Sequence, residues 1–137
     1  MRRQYFKVPH FKVMTDEGGE TTDSLRSTAM IKVSVGGVEE LRAAEGNGPV
    51  NAMDTALRQA LVRFYPAIDQ MHLTDFKVRV ISGGTTAAVV RVVIESTDGV
   101  AVWRTVGVSP DIISASWQAL RDSVEYMLDL QNEEKEG

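Results

Sequence analysis

The residues that could do chemistry in this chain are few. His10 and His72 are its two histidines, and it has no cysteine. No His-x-His and no close carboxylate cluster accompanies either histidine, so the pattern lacks the usual metal sets and offers no thiol nucleophile. Ser109, Ser114 and Ser116 have no histidine beside them in sequence, and Ser109 reads better as a helix cap. Asp16, Glu17 and Glu20 have the character of a solvated acidic loop. The glycines at Gly46 and Gly48 lack the third glycine of a dinucleotide fingerprint and the Lys-Ser/Thr of a P-loop.

What the glycine stretch can do is hold an anion. An alternating run ends at Gly46-Asn47-Gly48, where two glycines and an asparagine allow a tight turn with positive φ values. Pro49 follows, at a position where the first turn of a helix tolerates a missing N–H. Two readings stay open on these residues. The stretch is a plain strand-to-helix connection, or its backbone amides take a carboxylate at a helix N-terminus.

The totals bound the rest. A chain of 137 residues is one domain by length, long enough for a core. A net charge of -4 argues against a nucleic-acid surface, and the one basic cluster, Arg2, Arg3, Lys7 and Lys12, is thin and terminal. No apolar run reaches a membrane span and no signal-peptide pattern opens the chain. With no cysteine present, a cytoplasmic location is expected, with no membrane and no nucleic-acid partner.

The secondary structure follows in chain order. Phe6 to Met14 alternates as a strand, with Pro9 marking an edge or a bulge. Thr15 to Ser24 is polar and reads as a loop. Ser27 to Val35 is a second strand, with Ala29, Ile31, Val33 and Val35 on one face. Gly36-Gly37 signals a hairpin, and Val38 to Glu45 returns as a third strand. Helix one spans about Pro49 to Phe64. Its stripe is Met53, Leu57, Ala60, Leu61 and Phe64, with Asp54, Arg58 and Arg63 off it. Tyr65-Pro66 stops it.

His72 to Ser82 is the next strand, turned by Gly83-Gly84. Thr86 to Glu95 is the most apolar strand and is expected at the centre of its sheet. Asp98-Gly99 signals another hairpin, leading to a strand from Val100 to Val108. Helix two follows, with Ser109 as cap, Pro110 first and a stripe of Ile113, Trp117, Leu120, Val124, Met127 and Leu128. Glu133 to Gly137 reads as a frayed tail.

The order strand-strand-strand-helix therefore occurs twice, at about 6–66 and 72–130. Gly46-x-x-Pro49 matches Gly107-x-x-Pro110, and Phe11-Lys12-Val13 matches Phe76-Lys77-Val78. A duplicated unit is the economical explanation. The expected fold is α+β, with two pseudo-symmetric βββα units, each an antiparallel three-stranded sheet with a helix, within one domain of residues 1–137. Strand surface apolar on both sides predicts a dimer. From residues alone, this favours a small-molecule binding or assembly module over an enzyme.

Three stretches carry a resemblance. They are Gly46-Asn47-Gly48-Pro49-Val50-Asn51-Ala52, Thr74-Asp75-Phe76-Lys77-Val78-Arg79-Val80, and Trp103-Arg104-Thr105-Val106-Gly107-Val108-Ser109-Pro110-Asp111-Ile112-Ile113 with Ala115-Ser116-Trp117-Gln118-Ala119-Leu120. From Phe11 to Leu130 the chain resembles the C-terminal regulatory domain of the 2-isopropylmalate synthase and citramalate synthase family, most closely the citramalate synthases. The resemblance implies dimerisation through this domain and feedback inhibition by a branched-chain amino acid, isoleucine for citramalate synthases and leucine for the alternative. It also implies a catalytic barrel elsewhere in the parent enzyme, with a divalent metal, that condenses acetyl-CoA with pyruvate. No cofactor and no catalytic residue are expected in this domain.

Carried over from the family, the effector site falls on Gly46, Asn47, Gly48, Val50 and Asn51, then on Leu73, Phe76 and Val80. It continues through Thr86, Ala88 and Val90 to Pro110 and Ile112. Phe76 stands where relatives often have tyrosine. A ligand-free dimerisation module and a stand-alone amino-acid sensor are the competing readings.

Overall fold

The alternation read from sequence becomes two small sheets. The computed structural model describes residues 4–16, 26–82 and 88–136. The first sheet is antiparallel, in the order β1 (Lys7–Asp16), β2 (Arg26–Val35), β3 (Val38–Gly46). The second is antiparallel in the order β4 (His72–Ser82), β5 (Ala88–Thr97), β6 (Val102–Ser109). Each leads into a helix, α1 (Pro49–Leu61) and α2 (Ile112–Glu136). A short 3-10 turn, Pro66–Gln70, follows α1. The chain divides into two compact units, Met1–Asp69 and Gln70–Gly137, each a βββα set.

In the first unit, β2 is central and buries Ala29, Ile31 and Val33 on one face, as its period of two requires. Against them α1 buries Met53, Leu57, Ala60 and Leu61. The register of β1 shifts between Lys7 and His10, at Pro9, on an edge strand. Gly36 and Gly37 have φ of 57° and 85°, so the hairpin closes on two left-handed residues, the turn that matches strand twist. The N-terminal entry is tied down as well. Tyr65 donates its hydroxyl to the Tyr5 carbonyl at 2.7 Å, with the two rings edge to face.

In the second unit β5 is central, as its composition demands. Val92 and Ile94 are buried on its helix side. Trp103, on the same side of β6, donates its indole N–H to the Ser123 carbonyl at 3.1 Å. The β5–β6 connection is a four-residue loop held by its own side chains. Asp98 accepts from the amides of Val100 and Ala101, and Thr97 donates to the Ala101 carbonyl.

Several boundaries differ from the sequence reading. Thr15 and Asp16 continue β1, paired with Ser27 and Arg26, because the ladder outlasts the apolar alternation. The rest of that expected loop, and Gly83-Gly84, lie outside the described residues. Helix α1 ends at Leu61, with Phe64 in the turn beyond it. Asp54 is buried rather than off the stripe, because Arg58 Nε and Nη2 clamp both its oxygens at 3.1 and 3.0 Å. Val100 belongs to the loop and is 95 % exposed. Asp111, not Ser109, caps α2, which runs on to Glu136 through the stretch expected to fray.

Candidate functional site

The glycine turn at the start of α1 takes a form the sequence did not anticipate. Gly48 is the N-cap, with φ of -172° and ψ of 175°, an extended backbone open to any residue. Among the described residues positive φ occurs only at Gly36, Gly37 and Gly99, so no left-handed residue is needed here. What the turn needs is thinness. A Cβ on Gly46 would meet the Asn51 side chain and lie 2.6 Å from the Ala52 amide nitrogen. Gly46 is therefore the contact that lets the end of β3 press against the first turn of α1. Gly48 has open space where a Cβ would point.

The two helix starts differ. Asp111 places its carboxylate over the first turn of α2, accepting from the amides of Ile113 and Ser114 at 3.3 and 3.2 Å and from the Ser114 hydroxyl at 3.0 Å. That hydroxyl, then the Ile113 amide, hold its carboxyl below the usual carboxylate range. The helix's anion position is thus filled by the chain itself. At α1, Gly48 offers no side-chain cap and the first turn has no acidic residue. The amides of Val50 and Asn51 sit there, with Val50 buried and Asn51 exposed.

The second group of predicted residues lies on one face of the second sheet. Opposed residues of an antiparallel pair share a face. Phe76 opposes Ile94, Val80 opposes Val90, and Ser82 opposes Ala88. Ile94 is beneath α2, which packs on β5 and β6. On the edge strand β4, Phe76, Val78 and Val80 of that same face remain 47, 41 and 63 % exposed. Leu73 opposes Ser96 on this face, past a register shift. Ser109 opposes Val90, which sets the Pro110 turn beside the Val80 end of the row. Ile112, the first residue of α2, is exposed there.

The predicted residues thus form two groups, one in each unit. Gly46, Asn47, Gly48, Val50 and Asn51 surround the start of α1, and Leu73, Phe76, Val80, Ala88, Val90, Pro110 and Ile112 belong to the second unit. Thr86 lies outside the described residues. Leu73 and Val80 stand seven residues apart on one strand, roughly 20 Å, so one amino acid cannot touch both. The Val80, Val90 and Pro110 end is the compact part.

Sequence reading passed over the small residues of α2. Ala115, Ala119 and Ser123 are buried, four residues apart, and face β6. Their spacing was the available signal. A concavity of about 280 Å³ lies in the first unit between Gln4–Lys7 and Ser34, Gly36 and Gly37, away from every predicted residue. Among the described residues no group of three or more His, Asp or Glu could hold a metal ion, and no helix is long and apolar enough to cross a membrane.

The comparisons with known proteins agree with one another. Residues 1–128 match the family model of the LeuA allosteric (dimerisation) domain. An (R)-citramalate synthase of Geobacter sulfurreducens is 52% identical over 136 residues, 98% of this chain and 25% of the relative. One from Aquifex aeolicus is 49% identical over 138 residues, with the same coverage. A 2-isopropylmalate synthase of Aquifex aeolicus is 34% identical over 139 residues, 96% of this chain and 24% of the relative. The chain spans about a quarter of the length of these relatives.

Proposed function

Since this chain belongs to the LeuA allosteric (dimerisation) domain family, we propose that it is the isoleucine-sensing and dimer-forming part of a citramalate synthase. The observation that carries the reading is the coverage of nearly the whole chain by relatives named (R)-citramalate synthase, at higher identity than the 2-isopropylmalate synthase. In this reading the condensation of acetyl-CoA with pyruvate, and the divalent metal that serves it, belong to the remaining three quarters of a parent enzyme. This chain supplies the feedback signal and a self-association surface.

Two features support an amino-acid ligand. The start of α1 leaves amides without a side-chain cap, a fitting partner for a carboxylate. The uncovered row of β4 beside Val90 is apolar and suits a branched aliphatic side chain. The two features belong to separate units and are separate arguments, the first of them tested by substitution at Gly48.

Calorimetric titration of the chain with isoleucine, leucine and valine tests the function. Isoleucine is expected to bind tightest, by roughly tenfold or more, the worth of about one misplaced methyl group. Leucine binding tenfold tighter would move the assignment to 2-isopropylmalate synthase. Heat from none of the three would leave a ligand-free dimerisation module.

A further inference from the structure

The second sheet has a face turned away from α2, and its charges are out of balance. The ladder register puts Asp75, Glu95 and Arg104 in one row across it, Lys77, Val93 and Val106 in the next, and Arg79, Arg91 and Val108 in a third. Four cations stand against two carboxylates, on a chain whose net charge is -4. Glu95 is already engaged by Arg104 at 2.7 Å. Arg79 and Arg91 are directly opposed, an arrangement that is destabilising in an isolated sheet. Neither arginine side chain, nor that of Lys77, has a hydrogen bond or ion pair among the described residues. Between and beside the charges the face is apolar, with Val106 and Val108 40 and 48 % exposed.

We propose that a second copy of this chain covers this face, sheet against sheet. This rests on the reading of the chain as a dimer-forming domain and names the surface that does it. The argument is self-complementarity. A twofold axis lying in the interface, at right angles to the strands and crossing near Val93 and Val106, reverses the order of the rows. The Asp75 and Glu95 row of one copy then lies over the Arg79 and Arg91 row of the other, twice by symmetry. The valines meet at the axis and give the two sheets their shared apolar layer, about 10 Å thick. The opposed arginines gain the carboxylates they lack within one copy. Lys77, on the edge strand, extends its long side chain outward to water. A twofold axis parallel to the strands along β5 would instead set Glu95 over Glu95 and Arg91 over Arg91 and leave Arg79 facing Val108 without a carboxylate, which the charge pattern disfavours.

Sedimentation of the 137-residue chain and three samples decides this. Asp75→Arg alone and Arg79→Glu alone each create two like-charge contacts across the axis, so each is expected to self-associate on the order of a hundredfold more weakly than the wild type. Mixed one to one, the two variants regain complementary contacts in a heterodimer and recover the wild-type sedimentation. Circular dichroism melts show that each variant is folded, since both positions are exposed. Wild-type dimerisation retained in either single variant, or a mixture that stays monomeric, overturns the assignment of this face. A monomeric wild type at micromolar concentration would instead remove the dimer reading itself.

Discussion

Thr105 donates its hydroxyl to the backbone carbonyl of Ala119 at 2.7 Å, and this bond is the middle rung of a regular match between β6 and α2. Two residues earlier on the strand, Trp103 reaches Ser123, four residues later on the helix. Two residues later, Gly107 lies against Ala115, four residues earlier. Two strand residues advance about 6.6 Å and four helix residues about 6.0 Å, so the rungs stay in step. The strand thus presents a large side chain, a medium one and none at all to one line of small helix residues. Helix and strand converge toward the glycine.

Gly107→Ala should be costly as a result. The added Cβ would overlap the Ala115 carbonyl and crowd the Ala119 amide nitrogen, both backbone and unable to turn aside. Helix and strand must separate, at an expected cost of about 1–3 kcal/mol. Urea unfolding measures it. A midpoint equal to wild type would mean the two elements part without loss.

Thr105→Val keeps the shape and the strand propensity but removes the donor. The Ala119 carbonyl sits within the helix, where an amide four residues on also bonds it, so no acceptor is orphaned. The expected loss is about 1 kcal/mol, the net value of one ordinary hydrogen bond. A double-mutant cycle with Gly107→Ala should show coupling, since both act on the same helix-to-strand spacing.

These rungs also mark where sequence reading stopped. The strand alternation, most of the two helix stripes and the hairpin glycines were legible because periods of two and 3.6 recur over many residues, although Ile113 and Trp117 are only half-buried and Phe64 lies beyond its helix. So was the central place of β5, from its valines on both faces. The capping of α2 was not, because Ser109 and Asp111 are both good caps and only the backbone path decides between them. The buried Asp54 was not, because burial of a carboxylate depends on the Arg58 clamp rather than on the residue type. Gly46 has the look of a turn residue but serves close packing, since a turn glycine and a packing glycine are alike in sequence. For the effector residues, the family resemblance supplied the list, and the strand geometry showed that Leu73 lies too far from Val80 to share one amino acid with it.

Acid should weaken both loops that rest on an aspartate. Asp98 is held below the usual carboxylate range by the amides of Ala101 and Val100, and Asp111 by the Ser114 hydroxyl and the Ile113 amide. A carboxyl depressed in the folded state contributes stability that is complete above its unfolded value, about pH 4, and is lost as pH falls through the folded one. The melting temperature should fall between about pH 5 and 2. Asp98→Asn with Asp111→Asn, which keeps an oxygen acceptor at each place without a charge, should give a shallower fall. Parallel curves for variant and wild type would assign the acid limb to other groups.

Gly48 permits a sharper test of the ligand than any deletion. Its extended backbone and the open space beside it admit a side chain without strain, so Gly48→Ala should still fold, at a cost of about 1 kcal/mol because alanine is a poorer N-cap than glycine. A methyl group there narrows the backbone approach, and the variant should bind the amino acid more weakly while folding normally. Gly48→Asp goes further, because it gives α1 the self-supplied carboxylate that Asp111 gives α2. An aspartate N-cap should match or slightly raise the melting temperature, while its negative charge occupies the amides a ligand carboxylate would use. Loss of calorimetric binding together with an unchanged or raised melting temperature is the expected result. Normal binding by both variants would return the turn to a plain connector and place the ligand's carboxylate elsewhere. Binding lost in Gly48→Asp but kept in Gly48→Ala would show that charge at the helix start, not backbone approach, decides recognition.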